Sequence, residues 1–158
     1  AHFLGERIAR FEEVHLGVAV DTPRGLMVPV LPNACSKSLE DLSFGIKRMV
    51  ESCIEGTILP DQLSGGTFTL TNLGMLGIDH FTPVINPPEA AILGVGGISL
   101  RPVRNREGEV SYAECITLSL TIDHQAVDGA PAARFLKDLV DTLNNYPGAN
   151  AGNDKGDE

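Results

Sequence analysis

Residues 123–129 read DHQAVDG, which sets two acids and a histidine close together ahead of a glycine. An imidazole takes and returns a proton near neutral pH, so His124 is a candidate general base. Asp128 is suited to cap a helix or to pair with a cation. Gly129 permits a backbone path that a side chain would block. The same residues also fit a polar turn with a capping acid, and their spacing alone leaves both readings open.

A metal site is disfavoured. His2, His15, His80 and His124 are scattered, and the chain has neither an HExxH stretch nor a paired Cys/His arrangement. His15 alternates with apolar residues in a strand-like stretch, which predicts a surface or hydrogen-bonded histidine, and His80 falls in a loop. Protein-borne nucleophilic catalysis lacks its usual signature too, because no GxSxG is present. Cys53 lies on an apolar helical face and Cys115 in a strand run, so both read as packing residues. A base with no protein nucleophile beside it points to a substrate that brings its own.

The elements that must hold this group follow from hydrophobic spacing. VHLGVAV (14–20) and LMVPV (26–30) read as strands joined by the turn DTPRG. Leu39, Leu42, Ile46, Met49 and Cys53 recur at helical steps, with Ser38 as N-cap, Glu40 and Asp41 in the first turn, and Gly56 as the stop. GGTFTLTNLG (65–74) opens as a strand and runs into a glycine-rich turn. PPEAAILGVGGISLRPV (87–103) reads as one strand, or two with a bend at Gly96-Gly97, before the hairpin loop NREGE. In VSYAECITLSLTID (110–123), Ile116, Leu118, Leu120 and Ile122 alternate with polar residues, so one face is expected to be buried. Phe135, Leu136, Leu139, Val140 and Leu143 define a second amphipathic helix, with Pro131 tolerated in its first turn. His124 therefore sits where a half-buried strand ends and a helix begins.

The 158 residues fit one domain with a real core, and 42% are hydrophobic. No apolar run approaches the roughly 20 residues of a membrane helix. The opening stretch lacks the features of a secretion signal and has no methionine, so a fragment or processed product is expected. A formal net charge of −9 argues against nucleic-acid binding while allowing a small polyanion held by a few local cations. Three widely spaced cysteines without a CxxC fit a reducing compartment. Residues 1–147 read as the domain and 148–158 as a small, polar, acidic and disordered tail. The sum is an α+β fold with a mixed, mainly antiparallel sheet and two packed helices.

LTIDHQAVDG resembles the DHxxxDG signature of the acyltransferase (E2) catalytic domain of the 2-oxo acid dehydrogenase complexes. GVAVDTPRGLMVPVLPNA, LSGGTFTLTNLG and INPPEAAILGVG resemble the other characteristic blocks of that family, in the same order and over about residues 1–147. The resemblance implies a chloramphenicol-acetyltransferase-like fold and acyl transfer between dihydrolipoamide and coenzyme A. It implies that His124 removes the thiol proton and that Thr71, in the TLTN block, donates to the tetrahedral oxyanion. Without it, Thr71 would read simply as a β-branched strand residue. By the same resemblance Asp128 is mainly structural, holding its loop through an ion pair, Asp123 supports it, and the histidine is oriented largely by backbone. Gln125 stands where the family commonly has Arg. About a third of the family domain, at its N-terminal end, has no counterpart in the chain, and the lipoyl group is expected on a separate domain.

The resemblance further implies a homotrimer that assembles into a larger core and works with the E1 and E3 components of the complex. His124 and Thr71 would face each other between two subunits. Lys37, Arg101 and Arg104 are candidate partners for the phosphates of coenzyme A, although each alone reads as a solvated surface charge. The compartment would be the bacterial cytoplasm or the mitochondrial matrix, with neither a membrane nor nucleic acid as partner. The acyl group is not settled by the sequence, with HFTPVINPPEAAILGVG leaning to acetyl. Two alternatives are another coenzyme A-dependent acyltransferase with a small hydroxyl or amine acceptor, and a non-catalytic scaffold subunit.

Overall fold

A computed structural model describes residues 1–104 and 107–147. The expected tail at 148–158, and Asn105 and Arg106 of the expected hairpin loop, lie outside the described residues. Two small antiparallel pairs stand apart from the main sheet. One joins β1 (His2–Phe3) to β2 (Ile8–Ala9), and the other joins β4 (Val20–Thr22) to β5 (Gly25–Met27) through the DTPRG turn.

The main sheet has five strands. In chain order they are β3 (Leu16–Val18), β6 (Val30–Leu31), β7 (Phe68–Asn72), β8 (Ala91–Arg104) and β9 (Val110–Ile122), and in space they run β6-β3-β7-β8-β9. β3 and β8 both pair with β7 in parallel, while β6 and β9 close the two edges antiparallel. Of the six strand pairings among the described residues, four are antiparallel, as the sequence predicts for a mixed sheet.

The parallel pairings need crossovers. That between β3 and β7 contains α1 (Leu39–Glu55), whose ends match the sequence reading. Ser38 Oγ accepts from Asp41 N at 3.1 Å, and Gly56 ends the helix with φ 79°. α2 (Gly129–Asn144) follows β9, with Pro131 in its first turn. Both helices cover one face. Leu31, Leu16 and Phe68 are register partners across three strands; α1 meets Leu31 at Gly45, and α2 sets Phe135 against Phe68 with ring centroids 6.1 Å apart. The core at this interface includes Leu31, Met49, Cys53 and Leu93.

The opposite face carries Thr69, Thr71, Ile92 and Gly94, and the connection from β7 to β8 crosses it. A Cβ on Gly94 would lie 3.0 Å from the Phe81 ring, which is how closely this segment is laid down. Where the sequence suggests a bend, β8 bulges. Gly96 and Gly97 stand opposite the single residue Thr117 between the pairs Val95–Leu118 and Ile98–Ile116. A Cβ on Gly96 would lie 1.9 Å from the Asp79 carbonyl oxygen, so only glycine admits the crossing chain.

One expectation for β9 is corrected. Leu118, Leu120 and Ile122 are half-buried on the helix side, but Ile116 is 50% exposed. The reason is the length of β7, which pairs with β8 only from Ile92 to Val95. Past the bulge, β8 and β9 continue as a two-stranded arm, and Ile98, Leu100, Tyr112 and Ile116 stand exposed on one of its faces.

Candidate active site

His124 is held by its backbone. β9 ends at Ile122, and Asp123 N then donates to the Ala90 carbonyl at 2.8 Å, anchoring the turn to the sheet. The Asp123 carbonyl accepts from Ala126 N and Val127 N, and its side chain accepts from Gln125 N at 2.9 Å. Asp123 thus builds the turn on which His124 stands. The imidazole is 73% exposed, with its Nδ1 3.5 Å from Asp128 Oδ1. Asp128 occupies the N-cap position of α2, yet its side chain makes no cap hydrogen bond, so the capping expected of it is not found. Its carboxylate turns back toward His124 instead. In this single chain the contact of the Asp128 carboxylate is with the histidine itself.

Thr71 lies on β7, on the face away from the helices. It lines a cleft of about 370 Å³ together with Val28, Phe81, Ile85, Asn86 and Ile92. The walls are apolar apart from threonines and Asn86, and among the described residues no lysine, arginine or histidine lines it. Thr69, one strand repeat before Thr71, is fully buried and donates from Oγ1 to Glu89 Oε2 at 2.7 Å. Burial raises the Glu89 carboxyl above its ordinary value. The sequence reading missed Glu89 and Asn86; both lie in INPPEAA, where an acid between prolines and alanines was the available signal.

Register keeps the two principal candidates apart within one chain. Thr71 pairs with Gly94 and Gly94 with Ser119, whereas His124 lies beyond the other end of β9, past the Ala91–Ile122 pair. Two strand spacings across and about five residues along put the two α-carbons roughly 18 Å apart. A base and an oxyanion donor serving one reacting group each need hydrogen-bond reach of about 3 Å to it. Side chains of this size do not bridge that gap.

The three candidate cations are not brought together either. Lys37 follows β6 at one edge of the sheet, and Arg101 and Arg104 lie on the arm at the other. Arg101 is engaged. Its Nη2 lies 2.8 and 2.7 Å from the two Asp79 oxygens and 3.1 Å from Thr117 Oγ1, tying the β7–β8 connection to the bulged strands. The guanidinium holds the Asp79 carboxyl below its ordinary value. His80, 76% exposed, pairs with the same Asp79. His15 accepts from Asn33 N at 3.1 Å, as a hydrogen-bonded histidine should. Cys53 is fully buried and Cys115 half-buried. Among the described residues, no group of three or more His, Cys, Asp or Glu could hold a metal, and no helix is long and apolar enough to cross a membrane.

Comparison with known proteins gives one consistent set of matches. Residues 1–149 match the family model for the 2-oxoacid dehydrogenases acyltransferase (catalytic domain). The chain is 46% identical over 135 residues to the dihydrolipoyllysine-residue acetyltransferase component of the acetoin cleaving system of Bacillus subtilis, covering 85% of this chain and 34% of that protein. It is 40% identical to the corresponding component of the mitochondrial pyruvate dehydrogenase complex of Dictyostelium discoideum, covering 87% and 22%. The chain thus spans about a third or less of these relatives. Among solved structures, it matches Azotobacter vinelandii dihydrolipoamide acetyltransferase with a TM-score of 0.86 at 41% identity, covering 89% of this chain and 58% of that one. That work concerns the role of a serine, a histidine and an asparagine in the catalytic mechanism. The cubic core of a pyruvate dehydrogenase multienzyme complex matches with a TM-score of 0.84 at 41% identity, covering 88% and 57%.

Proposed function

Because the chain belongs to the 2-oxoacid dehydrogenase acyltransferase catalytic-domain family, we propose that its protein transfers an acyl group between dihydrolipoamide and coenzyme A. His124 takes the proton from the attacking thiol, so the nucleophile is the substrate's own sulfur. Thr71 donates to the oxygen that becomes negative when the thiolate adds to the thioester carbon. Collapse of that intermediate expels the second thiolate, and the imidazolium returns the proton to it. Asp128, four positions after the histidine, orients the ring through the Nδ1 contact. In the Azotobacter enzyme the studied histidine and asparagine also stand four positions apart.

The observation that carries this reading is the separation of His124 and Thr71, each well placed on its own element but roughly 18 Å apart by strand geometry. A second copy supplies the missing half, so the site is proposed to lie between two subunits of a cyclic trimer. Assembly of such trimers into a core serving the E1 and E3 components agrees with the cubic core that this chain resembles. The lipoyl group would arrive on its own domain, in the bacterial cytoplasm or the mitochondrial matrix. The lining that this chain contributes is apolar apart from threonines and Asn86, which suits a small neutral acyl group such as acetyl.

Rates of thioester exchange with dihydrolipoamide test this on the complete protein. Acetyl-CoA is expected to outpace succinyl-CoA and isobutyryl-CoA. Transfer only to hydroxyl or amine acceptors would reject the reading.

A further inference from the structure

The Thr71 cleft is backed by a buried carboxylate that acid–base transfer at His124 does not use. Glu89 is 2% exposed. It accepts from Thr69 Oγ1 at 2.7 Å through Oε2 and from Asn86 Nδ2 at 3.3 Å through Oε1. Its niche is built by close approach. A Cβ on Gly66 would lie 2.5 Å from Glu89 Oε1, and one on Gly17 would lie 2.6 Å from Thr69 Oγ1. Thr69 and Asn86 both belong to the cleft wall, so the carboxylate sits directly behind it.

This arrangement decides which way Asn86 points. Both Glu89 oxygens accept, Oε2 from Thr69 and Oε1 from Asn86, so the carboxyl takes the N–H2 end of the amide. The other end, Oδ1, has no protein donor among the described residues and is left as an acceptor on a half-buried residue of the cleft wall. Thr69 is spent on Glu89, which leaves few polar groups to read a ligand in an otherwise apolar site.

We propose that Asn86, held in one orientation by the positioning residue Glu89, presents Oδ1 to an amide N–H on the thiol-bearing arm that enters the Thr71 cleft. The inference rests on the acyl-transfer reading. Both proposed thiols carry such an amide, dihydrolipoamide at its carboxamide and coenzyme A in its cysteamine segment. A donor at that place fixes the depth of the arm, and with it the position of the sulfur relative to Thr71.

Isosteres that replace the N–H by oxygen test it in the complete protein. Dihydrolipoamide is compared with dihydrolipoate methyl ester, and acetyl-CoA with its analogue bearing an ester in place of the cysteamine amide. The unsubstituted protein should prefer the amide by about 3- to 10-fold in kcat/KM on the arm that occupies the cleft, the scale of one neutral hydrogen bond. The arm showing the preference identifies the occupant. Asn86→Ala should abolish the preference, bringing the amide and ester rates of that variant within about 2-fold of each other. Glu89→Gln should also abolish it, because glutamine can donate to Asn86 Oδ1 and let the amide turn its N–H2 toward the cleft. Melting curves confirm folding, and if Glu89→Gln does not fold, Asn86→Ala carries the test. A preference that survives in Asn86→Ala, or is absent on both arms of the unsubstituted protein, overturns the inference. Survival in folded Glu89→Gln removes the role of Glu89. No transfer with any acceptor would instead reject the acyl-transfer reading itself.

Discussion

Mixing two inactive variants tests whether His124 and Thr71 act from different chains. His124→Ala removes the base, which lowers turnover by about 10²–10⁴, and Thr71→Val keeps the shape of the side chain while removing the donor, for about 10²–10³. Within one chain the two α-carbons stand roughly 18 Å apart by strand geometry. A site made in trans therefore needs an intact His124 from one copy and an intact Thr71 from its neighbour. When the variants mix at random in equal amounts around a cyclic ring, about a quarter of the interfaces meet both conditions. Recovery should therefore approach about a quarter of the unsubstituted rate, whatever the ring size. The assay is thioester exchange between acetyl-CoA and dihydrolipoamide after subunit exchange, with mixed oligomers verified by mass spectrometry. Recovery at the level of the separate variants, despite verified exchange, would refute the trans arrangement. Unchanged turnover in Thr71→Val would remove its oxyanion role.

Three further outcomes follow from the contacts described. Asp128→Ala should change stability in a urea titration by no more than about 0.5 kcal/mol, because the side chain is exposed and caps nothing; a larger loss would restore the capping role. Gly96→Ala should destabilise by about 1–3 kcal/mol in the same titration, since its Cβ meets backbone rather than a flexible side chain. The Glu89 carboxyl, raised by burial above its ordinary 4.5, binds its proton more tightly in the folded protein than in the unfolded chain. Its contribution is therefore fully present below that value and is lost as pH rises through the folded-state pKa. The part of the stability that distinguishes the unsubstituted protein from Glu89→Gln should therefore decline as pH rises across this window.

Local chemistry was the most legible part of the chain. The Ser38 and Gly56 ends of α1 were readable because capping depends on a few adjacent residues, and the strand–turn–helix placement of His124 was readable for the same reason. Alternation along β9 marked which side chains share a face, but not what covers that face. Ile116 was therefore expected to be buried and is exposed, since β7 is too short to reach it. Asp128 carried a capping residue type at a capping position, yet its side chain faces His124. Glu89 and Asn86 escaped notice because their relation to Thr69 spans some twenty residues and exists only once β7 and β8 are paired. The placement of His124 and Thr71 on different subunits came only from the family resemblance; residue patterns alone do not give it, for their separation within one chain follows from strand order.

That strand order also sets a sequence of events in folding. β8 and β9 join through a short connection and can pair early, whereas β3 meets β7 only after a loop of about fifty residues closes, with Gly17 opposite Thr69. The wall carrying Thr71 is thus completed by the slowest contacts in the sheet. Appearance of the cleft, followed by a probe at Phe81, should lag behind formation of the β8–β9 hairpin, so a chain delayed in refolding would show native-like hairpin signals before it has a site.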